Sequence, residues 1–301
     1  MTHAQQKTDE ELMRDTALLV REVKDFGQRV GIEPTNALSQ SSYEKPVKSM
    51  LWLWMQRKGT IALRKPIDIR IGLRFSAPQE QFPLERLYNA SGYSVYFRQG
   101  NQFGDAEAVT TLEFARESTF TKVTTVLHED LHGDKNFDLM WEIEESIITP
   151  LSLLAALEFF RERGDEANVT EARSTIEERS KLARELQTVA EEAECLFEAQ
   201  TDAEARNRLL ELVSSSSVYS RWYKHHMKEQ DDSTAFEAKI SHDLAYYKFF
   251  ARIVSLERKL GDLKALIREF KKIPRDSDME RAERYLARLE ELSEGSIHVV
   301  P

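Results

Sequence analysis

Val126-Leu127-His128-Glu129-Asp130-Leu131-His132-Gly133 closes an apolar-periodic segment, and its H-E-x-x-H spacing organises the rest of the chain. Residues four apart on an α-helix project from one face, so His128 and His132 can bring two imidazole nitrogens to one small cation. Glu129 follows the first histidine and points roughly 100° away from it. It is poorly placed as a ligand and well placed to take a proton from an attacking water, as in zinc peptidases. Phe120, Val123, Leu127 and Leu131 recur at i, i+3, i+7 and i+11, which gives the helix an apolar face beside the histidines. Ser118 is the expected N-cap. The competing reading is two solvent-facing histidines that happen to stand four apart.

A second helix is expected from about Met140 to Arg163 after the turn at Gly133 to Asp138, with Pro150 inside it. Ile147 to Phe160 is apolar nearly all round, the pattern of a buried helix. Carboxylates there need a reason, because a buried one is costly unless paired or metal-bound. Glu145 has Trp141 four residues behind and Ile148 three ahead, so it is a candidate third ligand, thirteen residues after His132. Glu144, flanked by Ile147 and Ile148, is its rival, and local pattern does not separate them. Glu142 reads as solvated or helix-capping, and Glu158 as a surface group or a carboxylate behind a ligand. A pattern with a third histidine further along is absent, because Lys135 and Asp138 occupy the positions it needs; Asp138 is an outside candidate ligand.

Upstream, Thr8 and Glu11 have capping-box spacing before a helical stripe of Leu12, Leu19, Val23, Phe26 and Val30 that Gly31 and Pro34 end. Val47 to Arg57 suggests a Trp-rich second helix. Ile67 to Phe75 alternates as a half-buried strand does, with Tyr93 to Arg98 and Ala108 to Phe114 as further strands around a Gly100 to Asp105 loop. Downstream, helices are expected over Ala167 to Leu196, Ala235 to Leu260 and Leu263 to Lys272, with Gly261-Asp262 as a stop and a new cap. A last helix opens at the Ser277 to Glu280 capping box. Tyr219 to His226 is rich in aromatic and His residues, but His225 and His226 are adjacent and cannot share an ion from one helix face. The expectation is an α+β, mostly helical single unit over 1–301. N-terminal helices take 1–58, a small sheet region 59–116, the metal-site helices 117–164 and a C-terminal helical part 165–301.

The formal net charge of −10 disfavours nucleic acid, which needs a concentrated basic face. No apolar run has the length of a membrane span and no signal pattern opens the chain, so a cytoplasmic location and no membrane partner are expected. Cys195 is the single cysteine, which excludes an intramolecular disulfide. Nothing in the pattern sets an oligomeric state.

His128-Glu129-Asp130-Leu131-His132 followed by Glu144-Glu145-Ser146-Ile147-Ile148-Thr149 resembles bacterial metallo-aminopeptidases of the gluzincin type, with a weaker likeness from Leu260-Gly261-Asp262-Leu263 through Ile273-Pro274. The resemblance implies a zincin-like domain, and the strand patterns above place a small antiparallel sheet before the HExxH helix. It also implies Zn2+ as cofactor, a peptide substrate, aminopeptidase activity and Glu145 as third ligand. Asp130 departs from the usual motif, which has an apolar residue there, and places an extra carboxylate near the metal. In the resulting scheme His128, His132 and Glu145 hold the metal and Glu129 is the base. Tyr246 is the leading donor to the developing oxyanion, ahead of Tyr247 and His242. The alternative is a helical interaction protein with a structural or vestigial metal site closed by Asp130 or Asp138.

Overall fold

Thr8 and Glu11 form the expected reciprocal cap: Thr8 Oγ1 accepts from the Glu11 amide at 3.2 Å, and Glu11 accepts from the Thr8 amide at 2.8 Å. They open α1 (Asp9–Val30), which Gly31 closes in the left-handed region at φ 94°. The computed structural model describes residues 7–43, 48–74, 92–102, 108–228 and 230–295. The buried stripe of α1 is Met13, Thr16, Val20, Val23, Phe26 and Gly27, so the core-facing edge is rotated from the expected one and Leu12 and Leu19 are only half-buried.

The segment expected as a second helix is instead β1 (Lys48–Arg57), the central strand of an antiparallel sheet in the order β2–β1–β3. Leu53, Trp54 and Met55 are consecutive and all buried. A strand covered on both faces shows no alternation, so a short apolar run of this kind reads equally as helix. On one side lies β2 (Ile69–Arg74), two residues shorter at its start than the alternating pattern suggests; Phe75, its expected end, is outside the described residues. On the other lies β3 (Tyr93–Gln102), which continues through Gly100–Gln102 where a loop was expected, while 103–105 are outside the described residues. The register sets Trp54 between Arg70 and Tyr96, and Trp52 between Gly72 and Arg98.

Ala108 to Phe114 is not a strand. It makes one isolated parallel bridge, Ser41 with Thr110, after which Thr111 caps the short helix α2 (Leu112–Ala115) by accepting from the Phe114 amide. That side-chain cap offers the backbone a partner that a sheet would otherwise supply.

Ser118 caps α3 (Thr119–Gly133), its hydroxyl accepting from the Thr121 amide at 3.0 Å. The next helix, α4 (Trp141–Glu162), spans Pro150 as expected and is buried on nearly every side. The long helix α5 (Glu166–Ala199) leads to α6 (Asp202–Ser215), opened by a Thr201/Glu204 capping box, and α7 (Tyr219–His226). Glu185 of α5 satisfies the start of α7 by accepting from the amides of Ser217, Val218 and Tyr219.

The single helix expected over Ala235 to Leu260 is two, α8 (Asp232–Tyr247) and α9 (Phe250–Leu260). At the break the Lys248 ammonium bonds the Leu63 carbonyl and the Glu283 carboxylate, contacts for which the local sequence carries no sign. Asp262 caps α10 (Leu263–Phe270) as expected. The cap of α11 (Met279–Gly295) is Asp278, which accepts from the Arg281 amide at 2.8 Å, and not Ser277, whose side chain is buried and makes no such bond.

Helix α4 lies against α3, α5, α8 and α9, and α8 covers β3 and β1, so α4 and α8 bring the H-E-x-x-H helix and the sheet to one place. No described helix is long and apolar enough to cross a membrane. Position and tilt of α3 are tied down by Asp130, which is 1 % exposed. It accepts from Lys24 Nζ at 2.5 Å, Thr35 Oγ1 at 2.7 Å and the Thr35 amide at 3.0 Å. Gly133 follows from the same contact, since a Cβ there would sit 2.2 Å from Thr35 Cγ2. Removing one partner of a buried pair leaves the other charge uncompensated. Asp130→Ala should therefore cost about 3–5 kcal/mol in urea unfolding. The Lys24→Met/Asp130→Leu double variant should be more stable than Asp130→Ala; equal losses in the two would show that the pair does not carry the effect.

Candidate metal centre

One ligand atom each from His128, His132 and Glu145 lies within 4.8 Å of the other two. The histidines come from successive turns of α3, the carboxylate from the first turns of α4. His128 Nε2 and His132 Nε2 are 3.1 Å apart, Glu145 Oε1 is 3.4 Å from His132 Nε2, and Glu145 Oε2 is 3.5 Å from His128 Nε2. Tetrahedral coordination with bonds of about 2.1 Å needs donor atoms about 3.4 Å apart. The two imidazole nitrogens stand close to that spacing, and the carboxylate presents one oxygen to each of them near it.

The surroundings give the donors the right form. Glu144 Oε1 stands 2.5 Å from His132 Nδ1 and can only accept there when ionised, so Nδ1 carries the hydrogen, and once Nε2 gives up its proton to a bound cation its lone pair faces the cluster. This is the carboxylate–histidine arrangement that orients a metal-binding imidazole. Glu144 is itself held by the Leu139 amide at 3.3 Å. Trp141 Nε1–H donates to Glu145 Oε1 at 3.1 Å, while Glu145 Oε2 is buried and makes no hydrogen bond. A buried carboxylate oxygen without a hydrogen bond calls for positive charge beside it, from a protonated histidine or from a bound cation.

The electrostatics agree. Burial opposes the charged form of His132, yet the bonds to Glu144 and Glu145 and the charge of Glu129 push it up to about 10. Burial would raise Glu145, but His128 and His132 hold it well below the usual carboxylate range. The pocket thus favours positive charge at its centre.

Glu129 is half-buried, and its charge reaches both His132 and Tyr246. Tyr246 of α8 stacks edge-on against Trp141, ring centroids 5.8 Å apart, on the Glu145 side of the site. Burial and the Glu145 charge raise its pKa well above the ordinary phenol value, so it stays a hydrogen-bond donor. Tyr247 turns away onto Trp222 and Phe250. His242 is a core residue, boxed by the rings of Trp54, Tyr96 and Tyr246 and bonded to Asp243 through Nδ1 at 3.1 Å. Asp243 in turn binds Lys239 and Tyr219, forming a buried polar knot beneath Tyr246.

Other carboxylates leave the centre. Asp130 points to Lys24 and Thr35, so the departure from the usual motif serves packing and not the metal. Asp138 is 75 % exposed and faces Arg275 at 3.7 Å. Glu142, expected to be solvated or capping, is buried and accepts from the Ile67 amide at 2.9 Å, joining α4 to the start of β2. Glu158 pairs with Arg161 at the surface. His225 is exposed, whereas His226 stacks on Trp222 and is half-buried. Cys195 is exposed and unpaired. Sequence reasoning missed the donor role of Trp141, which its i, i+4 spacing to Glu145 could have revealed, and the use of Glu144 on the far nitrogen of His132.

No family model, curated protein or solved structure matches the chain. Titrating divalent metal into the metal-free chain by calorimetry tests the arrangement. Glu145→Ala should lose binding, and Glu144→Ala should keep it with affinity lowered about 10–100-fold. The reverse order would exchange their roles.

Proposed function

We propose that the protein is a zinc-dependent hydrolase of peptide bonds, with His128, His132 and Glu145 holding the metal. The observation that carries this reading is the convergence of those three side chains, one imidazole oriented from behind by Glu144, beside a half-buried glutamate that is not part of the cluster. The donor set, two imidazoles and one carboxylate, is that of catalytic zinc sites, which keep a position open. Zinc, when bound, supplies Lewis acidity that makes water a nucleophile near neutral pH and polarises a carbonyl.

The chain's own residues divide the remaining work. Glu129 takes the proton from the attacking water and returns it to the leaving amine, as a carboxylate near the nucleophile can in general acid–base catalysis. The Tyr246 phenol, kept protonated by burial and by the Glu145 charge, donates to the oxygen that becomes negative as the carbonyl is attacked. Glu144 and Trp141 fix the His132 ring and the Glu145 carboxylate, so the ligands do not reorganise during the reaction. The alternative, a structural site in an interaction protein, needs a fourth protein ligand, and the positions of Asp130 and Asp138 give it no support.

Hydrolysis of a fluorogenic peptide mixture by the zinc-loaded chain checks the assignment. Glu129→Gln should retain zinc and lower turnover by about 10²–10⁴-fold, whereas unchanged turnover would remove Glu129 as the base. Tyr246→Phe should lower kcat by about 10²-fold with KM nearly constant. A rise in KM alone would make Tyr246 a binding residue.

A further inference from the structure

The sheet presents a cationic, aromatic face next to the metal centre. Arg70 on β2 holds its guanidinium carbon 4.2 Å from the centroid of the Trp141 ring and 5.9 Å from that of Trp52. The indole N–H of Trp141 bonds Glu145 Oε1, so one tryptophan ring separates Arg70 from the cluster. Gly72 makes this possible: the Trp52 ring lies across it, and a Cβ at that position would meet a ring carbon at 2.5 Å. Arg98 stands opposite Trp52 on β3, on the same face of the sheet as Arg70. Both arginines are exposed, and neither forms an ion pair among the described residues. Their positive charge reaches Tyr246 as well.

In a chain of net charge −10, these two guanidinium groups have no carboxylate partner among the described residues and lie on the sheet face beside the candidate metal site. A guanidinium stacked on an indole is held in one plane with its N–H edge outward, the geometry that grips a carboxylate with two parallel hydrogen bonds. We infer that Arg70, supported by Trp141 and Trp52 and assisted by Arg98, forms a subsite for a carboxylate of the peptide substrate. The inference rests on the hydrolase reading for the word substrate, while the subsite itself is a property of the sheet face. That carboxylate comes either from a peptide C-terminus or from an acidic side chain. The first makes the enzyme select short peptides by their ends, the second by sequence.

Three blocked alanine-based tripeptides separate these cases: the free acid, its C-terminal amide, and an amide with a central aspartate. Binding is followed by calorimetry and tryptophan fluorescence on the full chain, metal-free and, in the Glu129→Gln form, zinc-loaded. The free acid, the aspartate peptide or both should bind about tenfold or more tightly than the neutral amide. Arg70→Gln, with its fold checked by circular dichroism, should remove that preference and leave the amide unchanged. Arg98→Gln should reduce it in part. Equal affinity for all three peptides, no binding of any, or equal losses for acid and amide in Arg70→Gln overturns the subsite. Carboxylate preference in a chain that binds no zinc keeps the subsite and removes the hydrolase. Zinc binding and turnover without the preference do the opposite.

Discussion

Glu145 is a carboxylate on a helix that is otherwise apolar on nearly every side, and its ionised form survives there only because two imidazoles and an indole N–H face it. Burying such a charge without compensation is among the costliest things a fold can do. The compensation comes from a neighbouring helix, so α3 and α4 must approach at one depth and one rotation. Much of the surrounding architecture serves that requirement. Asp130 ties α3 to α1 and to the Thr35 loop, and Glu142 ties the start of α4 to β2. Four acidic residues within two helices thus have four separate duties: Glu145 in the cluster, Glu144 behind a histidine, and Asp130 and Glu142 in holding the two helices in place.

The sheet contributes on the opposite side. Trp54 and Tyr96 pack onto His242 of α8 and form the floor under Tyr246, while Trp52, Arg70 and Arg98 continue the same face toward solvent. Beneath the floor, Lys239 and Asp243 neutralise each other with Tyr219 and His242 completing the bonds, so a polar knot sits inside α8 without an unpaired charge. Rigid aromatic packing of this kind holds Tyr246 and Trp141 edge to face, and through Trp141 it reaches the cluster itself. The His128, His132 and Glu145 cluster therefore lies between the helix pair that supplies its side chains and a sheet face that lines it.

The helices of the site were legible because their signals are local. Spacing of four brings His128 and His132 to one face of any helix, Ser118 and Thr8 cap by bonds to residues three positions on, and an all-apolar run around Pro150 marks α4 as buried. Where signals were non-local the reading failed. The run from Trp52 to Met55 is apolar without period because neighbours cover both faces of β1, and a covered strand and a helix then look alike. At the break the Lys248 ammonium meets the Leu63 carbonyl, far away in sequence.

By itself, then, the sequence determined the H-E-x-x-H helix, the buried helix after it, and the presence of a carboxylate that burial had to compensate. Tertiary structure decided which glutamate enters the cluster and which stands behind it. Glu144 and Glu145 have equally apolar helical neighbours, and only the approach of α3 to α4 puts one at His132 Nδ1 and the other facing the two Nε2 atoms. It also decided that Asp130 belongs to the packing, and that Arg70, unremarked in a strand pattern, lies one indole from the His-His-Glu cluster. Periodicity specifies which face of an element a residue occupies; only the packing of elements against one another specifies what that face meets.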